Sequence, residues 1–219
     1  MNIVIFGTGD IAELARFYFD HDSEHTVVGF TVDREYMTGD TFKGLPVVPF
    51  DEVSARFPCD SHQMFVALSY AKVNGVRTEK VAAAREKGYR LASYVSTRAT
   101  VFPGLEVGEN CFILEDNTIQ PFARIGDNVT LWSGNHIGHH SQICDNVFIA
   151  SHVVISGGVT VGERSFIGVN ATLRDHVTVG REVVVGAGAL LLEDAPDRAV
   201  YPASGTEKSR VPSNRLRGI

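Results

Sequence analysis

Every sixth residue from Val95 to Leu191 is valine, isoleucine or leucine, seventeen positions in a row without a slip in register. Those three residues make up roughly a fifth to a quarter of ordinary chains, so chance does not produce such a run. A period of six is neither that of an α-helix nor the alternation of a half-buried strand. It suits a short strand followed by a tight bend, three of which close one triangular coil of eighteen residues. The aliphatic residue points inward. A smaller or β-branched residue four positions on, such as Ala123, Val129, Ser141, Val153, Ser165 or Ala171, fills the corner. Glycine often follows the aliphatic residue directly, as at Gly108, Gly126, Gly138 and Gly162, and is expected to supply backbone angles that a Cβ resists. Residues eighteen apart then stack at roughly the 4.8 Å spacing of neighbouring strands. Asn117 and Asn135 form such a pair at inward corner positions, where an amide ladder is expected. The reading is a left-handed parallel β-helix of hexapeptide repeats over residues 95–193, more than five coils.

Residues 1–94 follow different rules. Asn2 to Phe6 is a short apolar strand, followed by Gly7-Thr8-Gly9-Asp10-Ile11-Ala12 and a helical stretch through about Phe19. Thr26 to Val32 reads as a second strand ending at Asp33, and Met64 to Leu68 as a third, ahead of a helix over roughly 76–87. Strands alternating with helices predict a small parallel α/β domain, Rossmann-like in order. The glycine turn is a partial dinucleotide fingerprint after a strand and before a helix. Such a turn can offer backbone N–H groups to a phosphate, although Asp10 places a carboxylate in the approach. Gly7, Gly9 and Asp33 are the candidates for holding a nucleotide-linked substrate; equally, the glycines only permit a tight turn. The tail, 194–219, has three prolines and no periodicity.

Charge and cysteines narrow the classes further. Lys and Arg total 20 against 26 Asp and Glu, for a formal charge of -6, and no stretch concentrates the cations. Neither nucleic acid nor an anionic membrane is an expected partner. Cys59, Cys111 and Cys144 form no CxxC pair, which fits a reducing compartment. The N-terminus reaches its glycines after five apolar residues, unlike a signal peptide or a membrane span, so a cytoplasmic location is expected.

Four histidines, His136, His139, His140 and His152, fall within seventeen residues. His139 and His140 occupy a bend rather than inward positions. One coil on, the equivalent stretch is Ile155-Ser156-Gly157-Gly158, which brings bare backbone next to the imidazoles. That combination suits acyl transfer. A neutral imidazole takes the proton of an incoming amine or hydroxyl, and a nearby N–H stabilises the thioester oxyanion.

The two-part chain resembles the bacterial sugar acyltransferases that include the bacillosamine-type nucleotide-sugar N-acetyltransferases and the sialic acid O-acetyltransferases. The resemblance is most specific at Asn135-His136-Ile137-Gly138-His139-His140 and at Ser156-Gly157. It implies a homotrimer, with acetyl-CoA or another acyl-CoA in the cleft between prisms and the nucleotide sugar held by the front domain. His139 matches the family's base and the Gly157 N–H its contact to the acyl carbonyl, with Ser156 beside the acyl-CoA and Asn135 and His136 toward the acceptor. His140 stands where many members carry Glu or Asp, so it is read as orienting His139 or touching the acceptor. Asp10-Ile11 replaces a frequent histidine, and Tyr201-Pro202-Ala203-Ser204-Gly205 stands in for the usual ending. O-acetylation of a sugar hydroxyl is the alternative within the class. A zinc-dependent hydratase on the same prism, or a prism without catalysis, lies outside it. His140 and His176 are two coils apart, but the zinc class needs a further ligand about five residues from one of them, and no histidine pair has that spacing, so no metal is expected.

Overall fold

The six-residue period closes into a triangular prism of three parallel sheets with seven, six and five strands, as a computed structural model describing residues 1–215 shows. Strand partners lie eighteen residues apart: Thr118 pairs with His136, and His136 with Val154. The aliphatic column fills the interior, with Leu131, Ile137, Ile149, Ile155, Val161, Ile167 and Leu173 all fully buried. This is the left-handed parallel β-helix expected from the repeat.

The bends differ from expectation in two ways. From Val107 onward the left-handed backbone angle falls three residues before each inward aliphatic, and glycine supplies it at only a few bends, such as Gly134 and Gly158. Asn, Asp and His take most of the others, as residues that tolerate this conformation; Phe122, with φ of 67°, does not belong to that group. The glycines that follow the aliphatic residues serve close approach instead. A Cβ on Gly138 would lie 2.5 Å from the Ser156 carbonyl carbon and 2.6 Å from the Gly157 nitrogen in the next coil. The amide ladder is also elsewhere. Asn117 and Asn135 bond to backbone, not to each other. The ladder runs through Asn110, Asn128 and Asn146, each Nδ2 donating to the next Oδ1 at 2.9 and 2.8 Å.

The tail first completes the prism. Ala195 pairs with Val179, and Val200–Tyr201 with Val184–Val185, sixteen residues on instead of eighteen. One bend before Pro196 is two residues short, which hides this last coil from a six-residue period.

In the front domain, β1 (Asn2–Phe6) lies between β2 (Thr26–Val32) and β5 (His62–Val66), all parallel. Two strands were not expected: β3 (Thr41–Phe42), and β4 (Leu45–Pro49), which extends the sheet parallel to β2. Pro46 and Pro49 flank the Val47-Val48 pair, and near a sheet edge their missing N–H groups are tolerated. Helix α1 (Asp10–His21) contributes Ala12, Ala15 and Phe19 to one sheet face, and after the four-residue α2 (Val53–Arg56), helix α3 (Gly75–Glu86) contributes Val81 and Ala84 to the other.

The front domain docks on the seven-stranded face of the prism. Phe19 and Phe65 share one apolar cluster with Tyr94, Phe112 and Leu114 from that face. Polar clamps fix the arrangement. Val66, the last residue of β5, exchanges two hydrogen bonds with the Asn110 side chain, so the amide ladder ends on the front sheet. Arg77, 2% exposed, bonds to Thr130 and to the carbonyls of Asn146 and Val147.

Asp22, just after α1, accepts from Thr97 Oγ1, from the Tyr94 hydroxyl at 2.6 Å, from the Thr97 N–H at 3.0 Å and from Ser96 Oγ at 3.1 Å. These bonds, the Thr97 hydroxyl first, hold its carboxyl down at about 2. A depressed carboxyl stabilises the fold above its unfolded value of roughly 3.9 and ceases to as pH falls through the folded value. Thermal melts from pH 5 down to about 2 should therefore show a steeper loss of stability in the wild type than in Asp22→Asn; parallel curves would remove Asp22 from the account.

Candidate active site

The triangular section decides where chemistry can occur. Residues 138–141 form a bend on the edge between the six- and five-stranded faces, opposite the face that the front domain covers. On this edge columns stack at eighteen-residue intervals: Pro121, His139 and Gly157 in one, and Phe122, His140, Gly158 and His176 in its neighbour.

His139 is exposed, and its backbone N–H donates to Gln120 Oε1 at 2.9 Å. Its imidazole lies directly against Gly157. A Cβ built on that glycine would sit 2.6 Å from His139 Cε1 and 2.7 Å from Nε2. The Gly157 carbonyl accepts from the His176 N–H at 3.0 Å, whereas its own N–H has no acceptor among the described residues. An imidazole and a free backbone donor are thus adjacent on one prism edge. Ser156 uses its N–H in the ladder to Leu173 and its carbonyl to accept from Ser141 Oγ, so it shapes the turn.

His140 adopts a φ of 60°, and its Nδ1 is 3.1 Å from His139 Nδ1. Phe122 packs on it, ring centroids 4.7 Å apart, while remaining 74% exposed. A left-handed phenylalanine costs roughly 1–3 kcal/mol and tends to mark functional positions. Sequence reasoning missed Phe122, though its place eighteen residues before His140 was there to be read.

The other histidines lie apart. His136 is half-buried on the six-stranded face, and His152 packs against Gly134 on a different edge. Asn135 is 1% exposed with its amide committed to the Trp132 carbonyl and the Val153 N–H, so it faces the prism interior and not an acceptor. Among the described residues no three His, Cys, Asp or Glu side chains gather around a common point.

In the front domain, Gly7 is buried with φ of 125° and donates its N–H to Thr31. A Cβ there would meet the Ala67 carbonyl oxygen at 2.9 Å, so its glycine is required by packing and its N–H is not free for a phosphate. Gly9 caps α1 in open space. Both oxygens of Asp33 are 2.7 Å from Lys80 Nζ, whose ammonium also rests 5.5 Å from the Phe6 ring centroid. Asp33 therefore presents an ion pair to any ligand, and Lys80 is a second residue that sequence reading did not single out.

The bacterial transferase hexapeptide family (six repeats) matches residues 104–139, 122–157 and 158–192. No curated protein sequence matches the chain significantly. PerB from Caulobacter crescentus, solved with CoA and GDP-perosamine, is 26% identical with a TM-score of 0.82 over 93% of this chain and 94% of its own. A histidine-to-asparagine variant of perosamine N-acetyltransferase from the same organism, also with CoA and GDP-perosamine, is 25% identical at TM-score 0.83 with the same coverage. The acetyltransferase domain of PglB from Neisseria gonorrhoeae FA1090, solved with acetyl coenzyme A, shares the fold at 22% identity and TM-score 0.78, over 92% of this chain and 96% of its own. The prism carries the bacterial transferase hexapeptide repeat, and the chain as a whole is similar in fold to sugar N-acetyltransferases.

Proposed function

We propose that this protein transfers an acetyl group from acetyl-CoA directly to the amine of a nucleotide-linked sugar, in the cytoplasm, for bacterial surface-glycan synthesis. The observation that carries this reading is the His139 imidazole packed against Gly157, whose N–H is free. The amine nitrogen attacks the thioester carbonyl while His139 Nε2 takes its proton, and the Gly157 N–H holds the developing oxyanion. Collapse breaks the C–S bond, and the proton passes from His139 to the leaving sulfur. An amine acceptor is favoured because the similar structures bound to GDP-perosamine are N-acetyltransferases.

The site is completed by a second copy. The front domain covers the face opposite the His139 edge, so Gly9, Asp33 and Lys80 cannot present a sugar to their own chain's histidine. The six-stranded face carries Val154 and Leu190 at 40 and 62% exposure, on either side of Thr172, with Leu192 just past its last strand at 50%, exposed apolar side chains suited to burial between prisms of a homotrimer. Thiol release from acetyl-CoA with GDP- and UDP-linked amino sugars, alongside the solution mass, tests both points. Transfer to hydroxyl sugars alone would redirect the reading to O-acetylation, and a fully active monomer would overturn the shared site.

A further inference from the structure

Left-handed backbone recurs at bend after bend of the prism, so the side chain that occupies it can be compared coil by coil. Asn, Asp, His and Gly take most of these places and Arg and Glu others; Phe122 is the one apolar side chain among them in the described residues. An aromatic has no polar group to bond back to the turn, so the conformation is unfavourable for it. Burial does not compensate. At 74% exposure, Phe122 is the most exposed large apolar side chain among the described residues. Strain that neither caps a turn nor fills a core points to something the ring touches.

The surroundings narrow what that is. One side of the ring is taken by His140, with centroids 4.7 Å apart and a tilt of 37°. Phe122 sits two residues before the strand Arg124–Ile125, hence on the five-stranded side of the edge. The outward side chains there, Glu106, Arg124, Gln142 and Thr178, are polar and exposed. Val154 and Leu190 belong to the six-stranded face, on the other side of His139. A protein interface buries on the order of 800 Å² per partner, which a single ring among polar neighbours does not supply. It suits one ring of a small ligand.

The reaction geometry assigns that ligand. Phe122, His140 and Gly158 occupy successive coils of one column, as Pro121, His139 and Gly157 do in the next. The acyl donor must bring its carbonyl to the Gly157 N–H, on the coil after His139. A nucleophile attacks a carbonyl with its own substituents pointing away from it. The sugar behind the attacking amine therefore extends over the coil before His139, roughly 4.8 Å along the prism axis. That is the coil of Phe122. A pyranose presents axial C–H groups on its flat faces, and these pack on the electron-rich face of an aromatic ring. We infer that Phe122 is the platform on which the acceptor's sugar ring stacks, setting affinity for the sugar while the nucleotide is left to the front domain. This rests on the acyl-transfer reading of the edge and adds to it a residue that contacts the acceptor.

Substitution separates strain from contact. Phe122→Asn keeps a residue that tolerates the left-handed bend and removes the ring. It should raise the melting temperature by roughly 2–4 °C. In titration calorimetry it should weaken binding of a GDP- or UDP-linked amino sugar on the order of tenfold. Free GDP, free UDP and acetyl-CoA should bind as they do to the wild type, and the solution mass should stay the same. Phe122→Tyr, which keeps a ring, should keep the sugar affinity. In turnover the loss should appear as a raised KM for the sugar at nearly constant kcat. Sugar affinity unchanged in Phe122→Asn, or a loss shared by free nucleotide or acetyl-CoA, would overturn the proposal. So would a lower melting temperature or a smaller assembly, which would make the ring a packing or interface residue. Calorimetry needs no turnover, so a sugar that binds through Phe122 but is never acetylated sinks the acyl-transfer reading alone. A wild type that binds none of these sugars sinks both.

Discussion

His139→Ala is expected to lower kcat for acyl transfer by roughly a hundredfold to ten-thousandfold, the range a positioned general base supplies. The expectation follows from the placement of the ring, exposed on a prism edge and in contact with a free backbone donor. Because the side chain buries no core surface, stability should change by less than about 0.5 kcal/mol. Residual transfer should survive, since the Gly157 N–H and the bound substrates still lower the barrier. Steady-state kinetics with a thermal melt separates the two effects. Full activity in the variant would place the base elsewhere.

Gly157→Ala should be nearly as damaging, for a different reason. The backbone there has no left-handed angle, so alanine is not strained by its conformation. Its Cβ would nevertheless stand 2.6 Å from His139 Cε1 and 2.7 Å from Nε2, well inside contact distance. A side chain can swing aside where a backbone cannot, so the fold should hold and the imidazole should move. A displacement of about 1 Å can cost on the order of a hundredfold in rate. The control is the double variant. With His139 already replaced by alanine there is no ring to displace, so adding Gly157→Ala should cost little more. Losses that multiply would mean that Gly157 acts independently of His139. By contrast, Gly138→Ala meets the backbone of Ser156 and Gly157 at 2.5 and 2.6 Å and should lower the melting temperature instead.

The prism was legible from the sequence because its period repeats in every coil. The inward column, the eighteen-residue pairing and the nearness of His139 to Gly157 all follow from counting in that frame. Counting failed where the period changed or where spacing alone was ambiguous. The last coil, two residues short, read as a tail. Asn117 and Asn135 are spaced like a ladder, yet their amides turn to carbonyls at the corner, and the ladder lies in the column of Asn110, Asn128 and Asn146. The left-handed bend places those three amides in line, and nothing in residue type alone separates the two columns.

The front domain was less legible because its short strands make their contacts across long sequence separations. Pro46 and Pro49 disguised β4, and the Asp33–Lys80 pair joins residues 47 apart. The Gly7 N–H looked available until the parallel pairing of β1 with β2 assigned it to Thr31.

The sequence by itself determined the prism, its register and the bend that holds His139, since a six-residue repeat admits one way to bury its aliphatic column. Only the tertiary structure decided that the front domain covers the face opposite that bend, because a chain of buried contacts from Phe19, Phe65 and Arg77 fastens it there. It likewise decided that His139 meets His140 through Nδ1, a matter of ring orientation set by Phe122 across the coil.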